Sequence, residues 1–242
     1  MRSMRSAAVA AFLAVALAGA AAQTTTGSGE KTVEEAYLQE SLETMIIKEQ
    51  SHGETRDLKM LALEYIKQSV DEGRTNDEIR QALEFLALET STTVIREAGT
   101  GRVTNDFPDV RRDACDLLGN FPTVEAKDAL VRVALTDREP MVISAAIRSL
   151  GRIGINDNEE VTQTIAFIVN KYDILQPDNS LAFETLVAIE RLAEANDGIR
   201  DPTVIRTVLR IANGNYIIPV KEKARQLLDK LRKMSVQSSG GK

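Results

Sequence analysis

The 242-residue chain has no tryptophan, one histidine and one cysteine, and its aromatic residues make up only 4% of the total. Each scarcity excludes something. With Cys115 as the sole cysteine no intramolecular disulfide can form, so packing alone must stabilise the fold. With His52 as the sole histidine, in the stretch EQSHGE, a multi-histidine metal site within the chain and a His-based triad are both poorly supported. A core short of aromatics and built from Leu, Ile, Val and Ala suits closely packed helices better than a β-sandwich. Nor is there a GxSxG element, a P-loop or a GxGxxG run; GTG at 99–101 reads as a turn. No cofactor is expected from these residues.

What is present points to helices. Hydrophobic residues make up 43% of the chain, enough for a real core. The formal net charge is −6, but residues 200–242 hold ten Lys/Arg against three Asp/Glu, so the acidic excess lies upstream. Were sequence order to map onto length, the molecule would be a rod with an acidic body and a basic tip. A nucleic-acid partner is not expected of an acidic chain without a sustained basic face.

Four segments follow from composition. Residues 1–22 have a basic start, MRSMR, an apolar run over 7–22 and a small-residue cleavage pattern at Ala20–Ala22, which reads as a secretory signal peptide. Sixteen apolar residues, half of them or more alanine, fall short of the roughly 20 that a spanning helix needs. The mature protein is therefore expected to begin at Gln23 and to be periplasmic or secreted. Residues 23–31, QTTTGSGEK, read as a flexible linker, residues 32–234 as the folded domain and residues 235–242 as a disordered tail.

Within 32–234 apolar residues recur at helical spacing. Thr32 with Glu35, and Thr75 with Glu78, have the spacing of capping boxes. Leu58, Leu61, Ala62, Tyr65 and Ile66 stripe one helix; Ile79, Ala82, Leu83, Leu86 and Ala87 stripe the next. The stretch 91–107 ends in GTGRVTNDF and reads as an irregular surface excursion, a place where a functional insertion would sit.

Two stretches share one grammar. FPDVRRDACDLLGNFP (107–122) and EPMVISAAIRSLGRIG (139–154) superpose Val110, Ala114, Leu118 and Gly119 on Val142, Ala146, Leu150 and Gly151. Weaker copies put Ala188, Ile189, Leu192 and Ala193 in the same frame, then Val220, Ala224 and Leu228. Val, Ala and Leu at i, i+4 and i+8 share a helical face, and the central Ala lets a partner helix come close. Gly at the helix end is read as the left-handed cap, and Pro108 and Pro140 as first-turn residues. Second helices follow at 124–135, 159–172 and 202–212. A unit of this kind cannot bury its apolar face alone, so units must stack, with polar outer faces at the ends. The helix bearing Lys221, Lys223, Arg225, Lys230, Arg232 and Lys233 is a suitable end.

PDVRRDACDLLG and EPMVISAAIRSLG resemble the HEAT-repeat superfamily, in particular the short repeats also found in phycobilisome lyases, over about residues 108–155; units near 55–90 and 178–233 are degenerate. Ile143, Glu184 and Ala193 depart from that pattern, at positions where Arg, Val and Gly are usual. The resemblance implies an all-α fold, an α-solenoid of four to five stacked antiparallel helix pairs.

Candidate chemistry is sparse. Cys115 reads as a small buried residue, and most paired carboxylates as caps or solvated charges. Asn156-Asp157-Asn158-Glu159-Glu160 has oxygen ligands but lacks an EF-hand's spacing. Aligning the second helices puts Asp128, Gln163 and Arg206 in one outward row and Arg132, Phe167 and Arg210 in its neighbour, residue types enriched at interfaces. Arg132, Phe167, Arg206 and Arg210, with the basic Lys230, Arg232 and Lys233, are the candidate partner-binding residues. The expectation is a non-enzymatic, exported scaffold or adaptor that binds a protein partner in the cell envelope. A lyase-like or chaperone-like HEAT protein, and a peripheral binder of an anionic surface through the basic helix, are the alternatives.

Overall fold

The computed structural model describes residues 32–92, 94–175 and 177–239. The signal-like residues 1–22 and the linker 23–31 lie outside the described residues. Those described contain ten α-helices: α1 (Val33–Ser51), α2 (Arg56–Asp71), α3 (Asp77–Thr92), α4 (Pro108–Leu118), α5 (Val124–Thr136), α6 (Pro140–Ile153), α7 (Glu160–Leu175), α8 (Asn179–Ala195), α9 (Pro202–Asn213) and α10 (Ile218–Ser239). Helices α2, α4, α6, α8 and α10 lie side by side in one layer, and α1, α3, α5, α7 and α9 in a second. The fold is an all-α solenoid of five stacked helix pairs.

Helix starts follow the capping chemistry. The Thr32 hydroxyl accepts from the Glu35 amide at 3.2 Å while Glu35 accepts from the Thr32 amide at 3.1 Å. At α3 the expected cap moves by one residue: Asn76 Oδ1, not Thr75, accepts from the Ile79 amide at 2.9 Å. Pro108 and Pro140 open α4 and α6, where a missing amide hydrogen costs nothing. Pro202 does the same for α9 after Asp201, which accepts from the Thr203 amide.

The repeat anchors form the core. Val110, Ala114, Leu118, Val142, Ala146, Leu150, Ala188, Ile189 and Leu192 are fully buried. In the first unit the anchor assignment needs correction, because Leu58 and Leu61 are 38% and 39% exposed while Leu63 turns inward.

Two glycines do different work from that expected. Gly119 has φ −62° and Gly151 lies inside α6, so neither is a left-handed cap; Gly154, at φ +77°, ends that helix instead. Both allow close approach between first-layer helices. A β-carbon on Gly119 would meet Ser149 of α6 at 2.8 Å, and one on Gly151 would lie 2.6 Å from the Ala188 Cα of α8. At the third junction Ala193 stands in this place, and α10 approaches α8 over less of its length than α8 approaches α6.

The pairing also differs from the sequence units. The sequence units join each first helix to the second helix that follows it, as α4 to α5, whereas α3 with α4, α5 with α6 and α9 with α10 make the more extensive contacts. A second helix thus clasps the first helix of the following unit. Helix α10 runs to Ser239, so the expected tail boundary at 235 falls within a helix. The excursion between α3 and α4 carries one isolated antiparallel bridge, Arg96 to Val103, with Gly99 and Gly101 at positive φ.

Candidate functional site

Charge pairs join successive helices along the first layer. Arg56 of α2 donates through Nε to Asp109 of α4 at 2.7 Å. Arg148 of α6 bridges Asp116 of α4 at 2.7 Å and Glu184 of α8 at 2.9 Å. Glu184, the departure from the repeat pattern, is therefore the third member of an ionic ladder. At the next junction Glu190 of α8 takes Lys223 and Lys230 of α10, and Lys230 also reaches Glu194. Burial alone would raise the Glu190 carboxyl, but its bonds to the two lysines outweigh that and hold it below the ordinary range. The Asp109 carboxyl is likewise held low by Arg56 against the effect of burial.

The second layer is less committed to its own fold. Arg132, Arg206 and Arg210 are exposed, and Phe167 of α7 is 60% exposed. Phe167 accordingly does not pack between repeats. Arg206 donates to Thr203 at 3.2 Å, and Arg210 to Asn170 of α7 at 2.9 Å. Asp128 pairs with Lys127, which also bridges α5 to α7 through Glu160 at 2.7 Å. On the basic helix the three candidates separate: Lys230 is engaged within the molecule, whereas Arg232 and Lys233 are exposed and take no ion pair among the described residues. The Lys230 ammonium thus already has carboxylate partners on α8, while its side chain stays 37% exposed.

The remaining sequence candidates have structural partners. Cys115 is fully buried, and burial, followed by Asp116 and Asp137, pushes its thiol up. His52 stacks on Phe85 with ring centroids 4.1 Å apart, and its Nδ1 lies 2.8 Å from the Lys48 carbonyl. In the would-be calcium segment the Asn156 side chain accepts from the Thr162 amide, Glu159 accepts from the Arg200 and Asp201 amides, and Glu160 binds Lys127. Among the described residues no group of three or more His, Cys, Asp or Glu could hold a metal ion. No helix there is long and apolar enough to cross a membrane.

One polar cluster escaped the sequence reading. Lys59, 1% exposed, donates to the Ser51 carbonyl at 3.1 Å, pairs with Glu89 at 2.9 Å and lies 5.4 Å from the Phe85 ring centroid. It ties the end of α1 to α2 and α3. The signal was its spacing, since Lys59 shares a helical face with Ala62, Leu63 and Ile66. The first layer also holds a groove of about 670 Å³ between α2 and α4, floored by Met60, Leu63 and Leu117 and edged by Asp57, Asp113 and Asp116.

Residues 101–170, from the loop before α4 into α7, match the family described as HEAT repeats. No curated protein and no solved structure matches the chain.

Proposed function

We propose that this protein is a non-enzymatic, exported HEAT-repeat scaffold that binds another protein in the cell envelope through its second helix layer. HEAT repeats generally mediate protein–protein interaction. The observation that carries the reading here is Phe167, a large aromatic left 60% exposed on α7 between the Arg132 and Arg206 helices. Aromatic and arginine side chains are the anchors around which interface energy concentrates. The groups with reactive potential have structural roles: Cys115 is buried, the exposed His52 stacks on Phe85, and Glu184 and Glu190 bridge helices. Export rests on residues 1–22 and is tested separately below.

Photo-cross-linking in the producing cell, from position 132 or 167, tests the proposal. A single captured protein, lost when Phe167→Ser and Arg132→Ser are combined, is expected. No cross-link from either position, with the chain folded and correctly located, refutes binding through this face. The alternative of docking on an anionic surface draws on Arg232 and Lys233. Salt-sensitive sedimentation with anionic vesicles, abolished by Arg232→Glu with Lys233→Glu, would favour it.

A further inference from the structure

The two ends of the solenoid are unlike each other, and the N-terminal end breaks the rule that end helices present polar outer faces. Helix α1 turns Ile47 into the core and Glu43 toward Arg74. On its opposite side it exposes Leu38 at 62%, Leu42 at 58% and Met45 at 65%, with Ile46 at their edge. Glu34 and Glu49 fall beside this stripe by helical spacing and take no ion pair among the described residues. Residues 32–91 as a whole contain fourteen Asp/Glu and six Lys/Arg.

The C-terminal end has the reverse charge. Lys223 and Lys230 face α8, so helical periodicity puts Lys221, Arg225 and Arg232 on the opposite side of α10, beyond the last pair. None of these three takes an ion pair among the described residues. By helical spacing Leu228, partly buried, falls next to them on α10, and on α9 Leu209, 44% exposed, and the partly buried Ile205 lie on the side away from α7, which Thr207 and Arg210 face. Each end therefore offers an apolar strip edged by unmatched charge, acidic at one and basic at the other.

We propose that the N-terminal end of one copy of this chain docks on the C-terminal end of a second copy, so that the α1–α2 pair of one continues the stack ended by α9–α10 of the other. The proposal rests on the reading of the protein as a binding solenoid, and it names the partner for the ends. Symmetric pairing of two α1 faces is disfavoured, because α1 carries five Glu and one Lys and two copies would bring like charges together. A head-to-tail contact is heterologous, so it propagates into chains or closes into rings.

Analytical ultracentrifugation of the gene product, in the form in which it accumulates in the expressing cell, provides the test. The wild type is expected to shift to larger species as concentration rises and to dissociate in high salt. Leu38→Gln with Leu42→Gln and Met45→Gln blocks one end; Arg225→Glu with Arg232→Glu blocks the other. Each variant alone should be monomeric, and an equimolar mixture should give a dimer and nothing larger, since one compatible pair of ends remains. Circular dichroism checks that both fold; should the glutamine variant misfold, Glu34→Lys with Glu49→Lys blocks the same end.

A wild type that stays monomeric at every concentration overturns the proposal. So does a closed dimer formed by the variant blocked at α10, which would mean α1 packs on itself, or a mixture that stays monomeric. Capture of a different protein on the α1 face by a monomeric chain also overturns it. Cross-links from positions 132 and 167 report separately: their retention without self-association sinks this proposal and leaves the second-layer reading standing.

Discussion

Gly151→Ala sets two physical effects against each other. In a helix interior Ala is favoured over Gly by about 1 kcal/mol, so α6 considered alone should be strengthened. The solenoid should lose instead. The new β-carbon would lie 2.6 Å from the Ala188 Cα, 2.9 Å from its Cβ and 3.2 Å from its carbonyl oxygen. The nearest of these is backbone, so no rotamer change relieves it and α8 must move away. Overpacking costs about 1–3 kcal/mol, and a backbone contact this close belongs in the upper part of that range, about 2–3 kcal/mol; with the helical gain of about 1 kcal/mol subtracted the net loss is about 1–2 kcal/mol. At about 2–4 °C per kcal/mol for a chain of this size, the melting temperature should fall by about 2–8 °C. Thermal and urea unfolding followed at the helical ellipticity would measure it. Ala188→Gly should not rescue, because the Cα remains at the same distance. Gly119→Ala should be milder: its contacts are the Ser149 side chain and Arg152 Nη1, and Ser149→Ala removes the nearest atom, a buried hydroxyl without a partner. A Gly151→Ala protein as stable as the wild type, or more so, would refute the claim that this glycine sets the α6–α8 distance.

Glu190→Gln tests the α8–α10 junction through pH. Because Glu190 is held below its ordinary 4.5, its contribution is present at neutral pH and is lost as pH falls through the lowered folded value, so the stability gap between wild type and variant should shrink on acidification; a gap independent of pH would contradict this. Cys115 should resist an alkylating reagent in the folded protein and react on unfolding, and fast labelling at native stability would show that α4 is not packed as described. Ala146→Asp should prevent stable folding, since an unpaired carboxylate at that buried site costs several kcal/mol; a melting temperature like the parent's would mean the repeat register is wrong. Intact mass should place the mature N-terminus at Gln23, and retention of Met1 would remove the argument for export.

The repeat register was readable because its signal is local. Val110, Ala114 and Leu118 recur as Val142, Ala146 and Leu150 at a spacing that only one helical face satisfies, and all six are buried. What escaped depended on contacts far apart in sequence. Leu-Gly near a helix end has the grammar of a left-handed cap, and only the position of Ala188, thirty-seven residues later, shows Gly151 to be a close-approach residue. Thr75 and Asn76 are both capping residues one position apart, and composition does not choose between them. Lys59 falls on the apolar period of α2, but the partners that let a lysine be buried there, Glu89 and the Ser51 carbonyl, lie on other helices. On α10 a basic run reads as one patch, while the helix turns Lys223 and Lys230 toward the α8 carboxylates.

The division of labour between the layers bears on where a partner should be sought. In the first layer, charges that would otherwise face solvent join neighbouring helices, through Arg56 with Asp109, Arg148 with Asp116 and Glu184, and Lys223 with Glu190. A protein that recruited those groups would have to break a junction of the solenoid in order to bind. Phe167, Arg132 and Arg206 carry no such obligation: the aromatic is exposed, and no ion pair among the described residues holds either arginine. Binding there removes apolar area from water without breaking an ion pair between helices. The same reasoning separates Arg232 and Lys233 from Lys230 on α10. Residues available to a partner are those the fold leaves out of its own junctions, and a sequence shows charge more readily than it shows which charges are already matched.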